Sequence, residues 1–134
     1  YKWRKTFFYY RMFIPPNKLR RAQKKYAYFD VHKETALVLF DDNIFSSGAN
    51  GFVITDSFFY YYLPFFKGDS KRKGEIPLNT IESFRFEYKK LETNLILNNA
   101  TFLVNSLSMV SKEEGDQIEG LMSLFIKEIS LGHN

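Results

Sequence analysis

The residues able to carry chemistry are few and do not gather. Two histidines, His32 and His133, stand far apart, and neither has a neighbouring pattern suited to a nucleophile, a general base or a metal. Asp41, Asp42 and Asp56 are carboxylates of the kind that hold a hard cation, yet acidic residues ending a strand and opening a turn need no ligand. The glycines form no phosphate cradle: Gly68 and Gly74 lack a following Lys-Ser/Thr, and Gly48 and Gly51 have the wrong spacing for a dinucleotide turn. With no cysteine there is no thiolate, no disulfide framework and no sulfur-ligated metal. Asn99-Ala100-Thr101 is formally a glycosylation triplet and is read as a hairpin turn. The expectation is a chain with no enzymatic activity, no cofactor and no metal.

Charge is the more informative signal. Up to Phe29 there are nine basic residues and no acidic one, whereas the rest of the chain carries 10 basic against 15 acidic side chains, giving a net charge of +4. Lys18, Arg20, Arg21, Lys24 and Lys25 crowd one short stretch, and Lys71, Arg72 and Lys73 sit in a second basic loop. These eight are the candidate contacts to an anion or a lipid headgroup. Two readings stay open: the positive segment neutralises the acidic body, or it faces an anionic surface, where each basic group adds about 1 kcal/mol. For the second loop a solvated turn is the alternative.

Aromatic residues make up 19% of the chain. In an extended strand Phe58, Tyr60 and Tyr62 point one way and Phe59, Tyr61 and Leu63 the other, so both faces need cover. Trp3, Phe59 and Tyr61 are the candidate aromatic contact surface. The leading helix, through Tyr26 and Phe29, is the most economical cover, and a second subunit or a protein partner is the alternative. The aromatic and basic residues of positions 1–14 also have the composition of an interfacial anchor.

The elements that must position these residues follow from periodicity. Positions 1–16 form a basic aromatic lead without clean periodicity, closed by Pro15-Pro16. Asn17 is placed to cap a helix over 17–29, on which Leu19, Ala22, Tyr26 and Phe29 form a narrow apolar stripe. Strands are expected at 36–41, 51–55, 58–63, 75–79, 83–89, 94–98 and 101–105. In the fifth, Phe84, Phe86 and Tyr88 oppose Arg85, Glu87 and Lys89. The last hairpin turns at Asn98-Asn99 or Asn99-Ala100, with the same face pairing either way. Ser111-Lys112-Glu113-Glu114 is a capping box that opens a helix over 112–131 with Ile118, Leu121, Met122, Phe125 and Ile129 on one stripe.

Gly51-Phe52-Val53-Ile54-Thr55-Asp56, the aromatic strand Phe58-Phe59-Tyr60-Tyr61-Tyr62 and Ile76-Pro77-Leu78-Asn79-Thr80-Ile81, in that order and followed by a closing helix, resemble a bacterial pleckstrin-homology-like (PH-like) or GRAM-like domain over roughly 35–131. The resemblance implies a mainly β (α+β) fold. It is a partly open antiparallel barrel of about seven strands over 35–105, with a C-terminal capping helix and here an extra N-terminal helix, the domain spanning 17–134. It implies binding of lipids or proteins rather than catalysis. Phosphoinositide-binding members carry basic residues between their first two strands, whereas 41–50 holds two aspartates and no Lys or Arg.

The expected function is therefore a non-catalytic interaction module for a protein partner. The alternatives are peripheral binding to anionic membrane through the basic N-terminal segment and, behind it, nucleic-acid binding. Homo-oligomers fit the first reading, and no small-molecule substrate is expected. The 134 residues suffice for one core. The longest apolar run, 58–66, contains Pro64 and is well short of the ~20 residues a spanning helix needs. A cytoplasmic place, free or at the inner face of the membrane, is expected. Because the chain begins with Tyr1, a processed product or a piece of a longer protein is also expected.

Overall fold

Residues 8–41, 51–62, 73–89, 93–104 and 112–132 are described by the computed structural model. They form β1 (Phe8–Tyr10), α1 (Pro16–Lys25), β2 (Ala36–Asp41), β3 (Gly51–Thr55), β4 (Phe58–Tyr62), β5 (Lys73–Pro77), β6 (Phe84–Tyr88), β7 (Thr93–Leu97), β8 (Ala100–Val104) and α2 (Lys112–Gly132). The seven strands read from hydrophobic alternation are all present, within two residues at each end. β1 is an addition inside the lead segment. Its three residues are all aromatic, so no alternation marks it, yet Phe8 is buried against Phe40 with ring centroids 4.7 Å apart.

The strands form two antiparallel sheets, β1-β2-β3-β4-β5 and β6-β7-β8, and the expected barrel is not closed. Two physical reasons are visible at the junction. Pro77 ends β5 without a donor and leads into a 3-10 turn over Leu78–Thr80, which breaks the ladder. On β6 the Phe86 amide donates 2.9 Å to the Glu119 carboxylate of α2, so the helix takes that edge. Asn98 ties the β7-β8 turn to the β5-β6 connection: its side-chain oxygen accepts the amides of Glu82 (2.7 Å) and Ser83 (3.1 Å), and its side-chain nitrogen donates 2.9 Å to the Thr80 carbonyl. Its φ of 54° lets it turn the β7-β8 hairpin at Asn98-Asn99, with Leu97 opposite Ala100.

The main core lies between the sheets and α2. Phe40, Phe52, Ile54, Phe59 and Leu95 meet Ile118 and Met122 there, all fully buried. A bulge in β2 places Leu37 on that side together with its neighbour Val38, although strict alternation would separate them. On the opposite face of the five-stranded sheet, Leu39, Val53 and Tyr60 form a second cluster with Ala22, Tyr26 and Ala27. The leading helix is thus the cover that the two-faced aromatic strand demands.

Candidate functional site

α1 starts one residue before the expected cap. Pro15 is extended and Pro16 occupies the first helical position, where a missing N–H costs nothing, so Asn17 lies inside the helix and not at its cap. The helix stops at Lys25, short of the expected 29: the amides of Tyr26 and Ala27 both donate 2.8 Å to the Ala22 carbonyl as the chain turns away. That turn delivers Tyr26 towards Tyr62 (6.5 Å between centroids) and stacks Phe29 on Tyr60 at 5.5 Å. Beside them Glu34 accepts hydroxyl protons from Thr55 (2.6 Å) and Tyr60 (2.8 Å), while the Thr55 oxygen accepts the Ser57 and Phe58 amides across the β3-β4 turn.

The five basic residues of this helix divide by face. Lys18 points inward, donating 3.0 Å to Asp41, whose carboxylate is 1% exposed, and lying 5.3 Å from the Tyr9 ring centre. It is a packing residue rather than a free anion contact. Arg20, Arg21, Lys24 and Lys25 are exposed on the outer side. Arg20 with Lys24 and Arg21 with Lys25 are like-charge pairs four residues apart, each costing about 0.2–0.5 kcal/mol in a helix with no acidic residue. Only Lys24 and Lys25, in the last turn, recover part of this from the helix dipole.

Large apolar side chains are exposed before and after that helix. Before α1, a 3-10 turn over Arg11–Phe13 leaves Met12 and Phe13 exposed by 86% and 75%. The turn begins with Arg11 at a φ of 41°, a left-handed backbone costing about 1–2 kcal/mol in an L-residue. After α1, Tyr28 and Val31 are 60% and 56% exposed. Tyr28 donates 2.6 Å to the Lys25 carbonyl, and Lys73 of β5 reaches over to it, 4.7 Å above its ring and hydrogen-bonded to its hydroxyl. Lys25 lies 4.8 Å from the Tyr62 ring centre. Four of the five exposed large hydrophobic residues among those described therefore flank one basic helix.

The structure thus brings together Arg20, Arg21, Lys24, Lys25 and Lys73 and sets Lys18 apart. Trp3, Lys71, Arg72, Ser111 and His133 lie outside the described residues. Phe59 and Tyr61 do not form a contact surface: at 0% and 6% exposure they belong to the main core, because β4 turns their face towards α2 and the smaller sheet. Phe13 belongs to the aromatic and basic stretch read as an interfacial anchor, whereas sequence reasoning does not single out Met12, Tyr28 or Val31; the strained turn and the early helix end leave all four outside.

Tyrosines hold the perturbed titrations. Burial, then the hydrogen bond to Glu34, pushes Tyr60 up, and burial with Glu119 and Asp116 nearby pushes Tyr88 up to about 12. Burial also raises Tyr61 and, with Glu114 adding to it, Tyr10. Among the described residues no three His, Asp or Glu side chains gather as metal ligands, and no helix is long and apolar enough to cross a membrane. Comparison of the chain with models of protein families, with curated proteins and with solved structures finds no match in any of the three.

Proposed function

We propose that this chain is a non-catalytic PH/GRAM-like interaction module that docks reversibly on anionic bilayers through the outer face of α1. The run of seven antiparallel strands followed by one amphipathic helix supports the PH-like reading. One observation carries the membrane reading: exposed Met12, Phe13, Tyr28 and Val31 flank exposed Arg20, Arg21, Lys24 and Lys25. Rings and thioethers at headgroup depth with cations between them suit a bilayer interface. The aromatic sheet face, for which a protein partner was the alternative cover to the leading helix, packs against α1, so that face lends no support to a protein partner.

Magnitudes favour weak, salt-sensitive adhesion. Four basic groups near an anionic leaflet contribute about 1 kcal/mol each, and burying Met12 and Phe13 adds about 2 kcal/mol apiece, before the cost of orientation. Sedimentation with phosphatidylserine-containing and purely phosphatidylcholine vesicles at low and high salt tests this. The parent should pellet with the anionic vesicles at low salt. Replacing Arg20, Arg21, Lys24 and Lys25 by Gln, or Met12 and Phe13 by Ser, should each weaken the association at least tenfold. Equal sedimentation of the neutral variant rejects the membrane reading. Salt-insensitive capture of a protein from extract by that variant would then favour a protein partner.

A further inference from the structure

A cleft of about 310 Å³ opens at the end of the molecule where the start of β2, the β3-β4 turn and the C-terminal half of α2 meet, and it shares no residue with the basic face of α1. Leu37, Leu78 and Phe125 line it with apolar surface, and Arg11, Asp56 and Glu128 line it with charge. The volume corresponds to about ten waters, far too small for a folded partner and at the lower end of small-ligand sites.

Both signs of charge line this space. Among the described residues no ion pair joins Arg11 to Asp56 or Glu128. Asp56 is held in place: its carboxylate accepts the Thr35 amide and the Ser57 hydroxyl, both at 3.3 Å, and its own amide donates 3.1 Å to the Thr35 carbonyl. Arg11 stands at the other side, with a left-handed backbone and a carbonyl that accepts the Ile14 amide at 3.0 Å. Backbone held in a sparsely populated conformation at a residue lining a cleft is where function is sought first.

We infer that the cleft binds a small zwitterion of the α-amino-acid class with an apolar side chain. The ligand carboxylate lies against the Arg11 guanidinium, the ammonium lies between Asp56 and Glu128, and the side chain rests on Leu37, Leu78 and Phe125. An anion without an amine meets two carboxylates, and a cation without a carboxylate meets the guanidinium, so only a ligand bearing both signs is complementary throughout. No reaction accompanies binding. This adds a small-molecule ligand to a chain whose sequence suggests none.

Calorimetry on the full chain, free of vesicles, tests the inference with L-leucine, L-phenylalanine and L-methionine as probes. N-acetyl-L-leucine, which lacks the ammonium, and L-leucinamide, which lacks the carboxylate, serve as controls. At least one amino acid should bind with a dissociation constant in the millimolar range or tighter. Its affinity should fall at least tenfold on removal of either ligand charge, and likewise in Arg11→Gln and Glu128→Gln. Both substitutions are at exposed positions, and unchanged thermal melts establish that the fold is kept. Absence of heat from all three amino acids up to about 10 mM overturns the inference. So does equal binding of the singly charged controls, or affinity untouched by both substitutions.

Discussion

At the scale of single residues, the tightest constraint is the contact between Gly115 and Tyr88. A Cβ at position 115 would lie 2.9 Å from the Tyr88 ring carbon Cζ and closer still to its hydroxyl oxygen. That hydroxyl is buried and finds no hydrogen-bond partner among the described residues. Gly115→Ala gains up to about 1 kcal/mol of helix propensity, whereas overpacking costs about 1–3 kcal/mol, so a net loss near 1 kcal/mol is expected. Tyr88→Phe removes an orphaned polar atom and should be neutral or stabilising by about 1 kcal/mol. In the double variant the cost of the alanine should shrink by more than half. Denaturant unfolding of the four proteins checks this, and additive losses would show that the two residues do not meet. None of this is legible in the sequence, because the neighbour that constrains Gly115 is a side chain of β6, remote along the chain.

At the scale of elements, α1 shows how far a stripe of apolar residues can be trusted. Ala22 and Tyr26 fall on the buried side as the helical period requires, and Phe29 follows them to the sheet although the helix has ended. The basic residues were less readable, because five cations on one short helix look alike until a carboxylate is found for one of them. Lys18→Ala withdraws the ammonium from Asp41 and should cost about 3 kcal/mol, as loss of one member of a buried pair does. Lys24→Ala, on the exposed side, should change stability by less than about 0.5 kcal/mol while weakening vesicle association. Thermal melts beside sedimentation separate the two. Equal stability losses would dissolve the division of the helix into a packing face and a binding face.

Across the molecule, four tyrosines among the described residues are held above the ordinary phenol value, and Tyr88 is pushed up to about 12. A phenol whose folded pKa is raised stays protonated longer in the fold than in the unfolded chain. The stabilisation from keeping it neutral is complete below about pH 10 and is lost as pH rises through the folded value. The melting temperature should therefore fall between about pH 10 and 12, less steeply in Tyr88→Phe, and phenolate absorbance should resolve a late-titrating class among the nine tyrosines. A single titration of all nine near the ordinary value would refute this.

Local pattern was enough to determine seven strands, both helices and the need to cover two faces of an aromatic strand. Each is a matter of period, two residues for a strand and 3.6 for a helix, and period is written along the chain. Which face of β4 met the main core, which lysine turned inward, where the ladder broke after Pro77 and which apolar residues stayed outside were decided only in three dimensions. These depend on partners remote in sequence, such as Asp41 for Lys18 and Glu119 for the edge of β6. Hydropathy records how much a residue gains by leaving water, and only the packed structure determines whether it does.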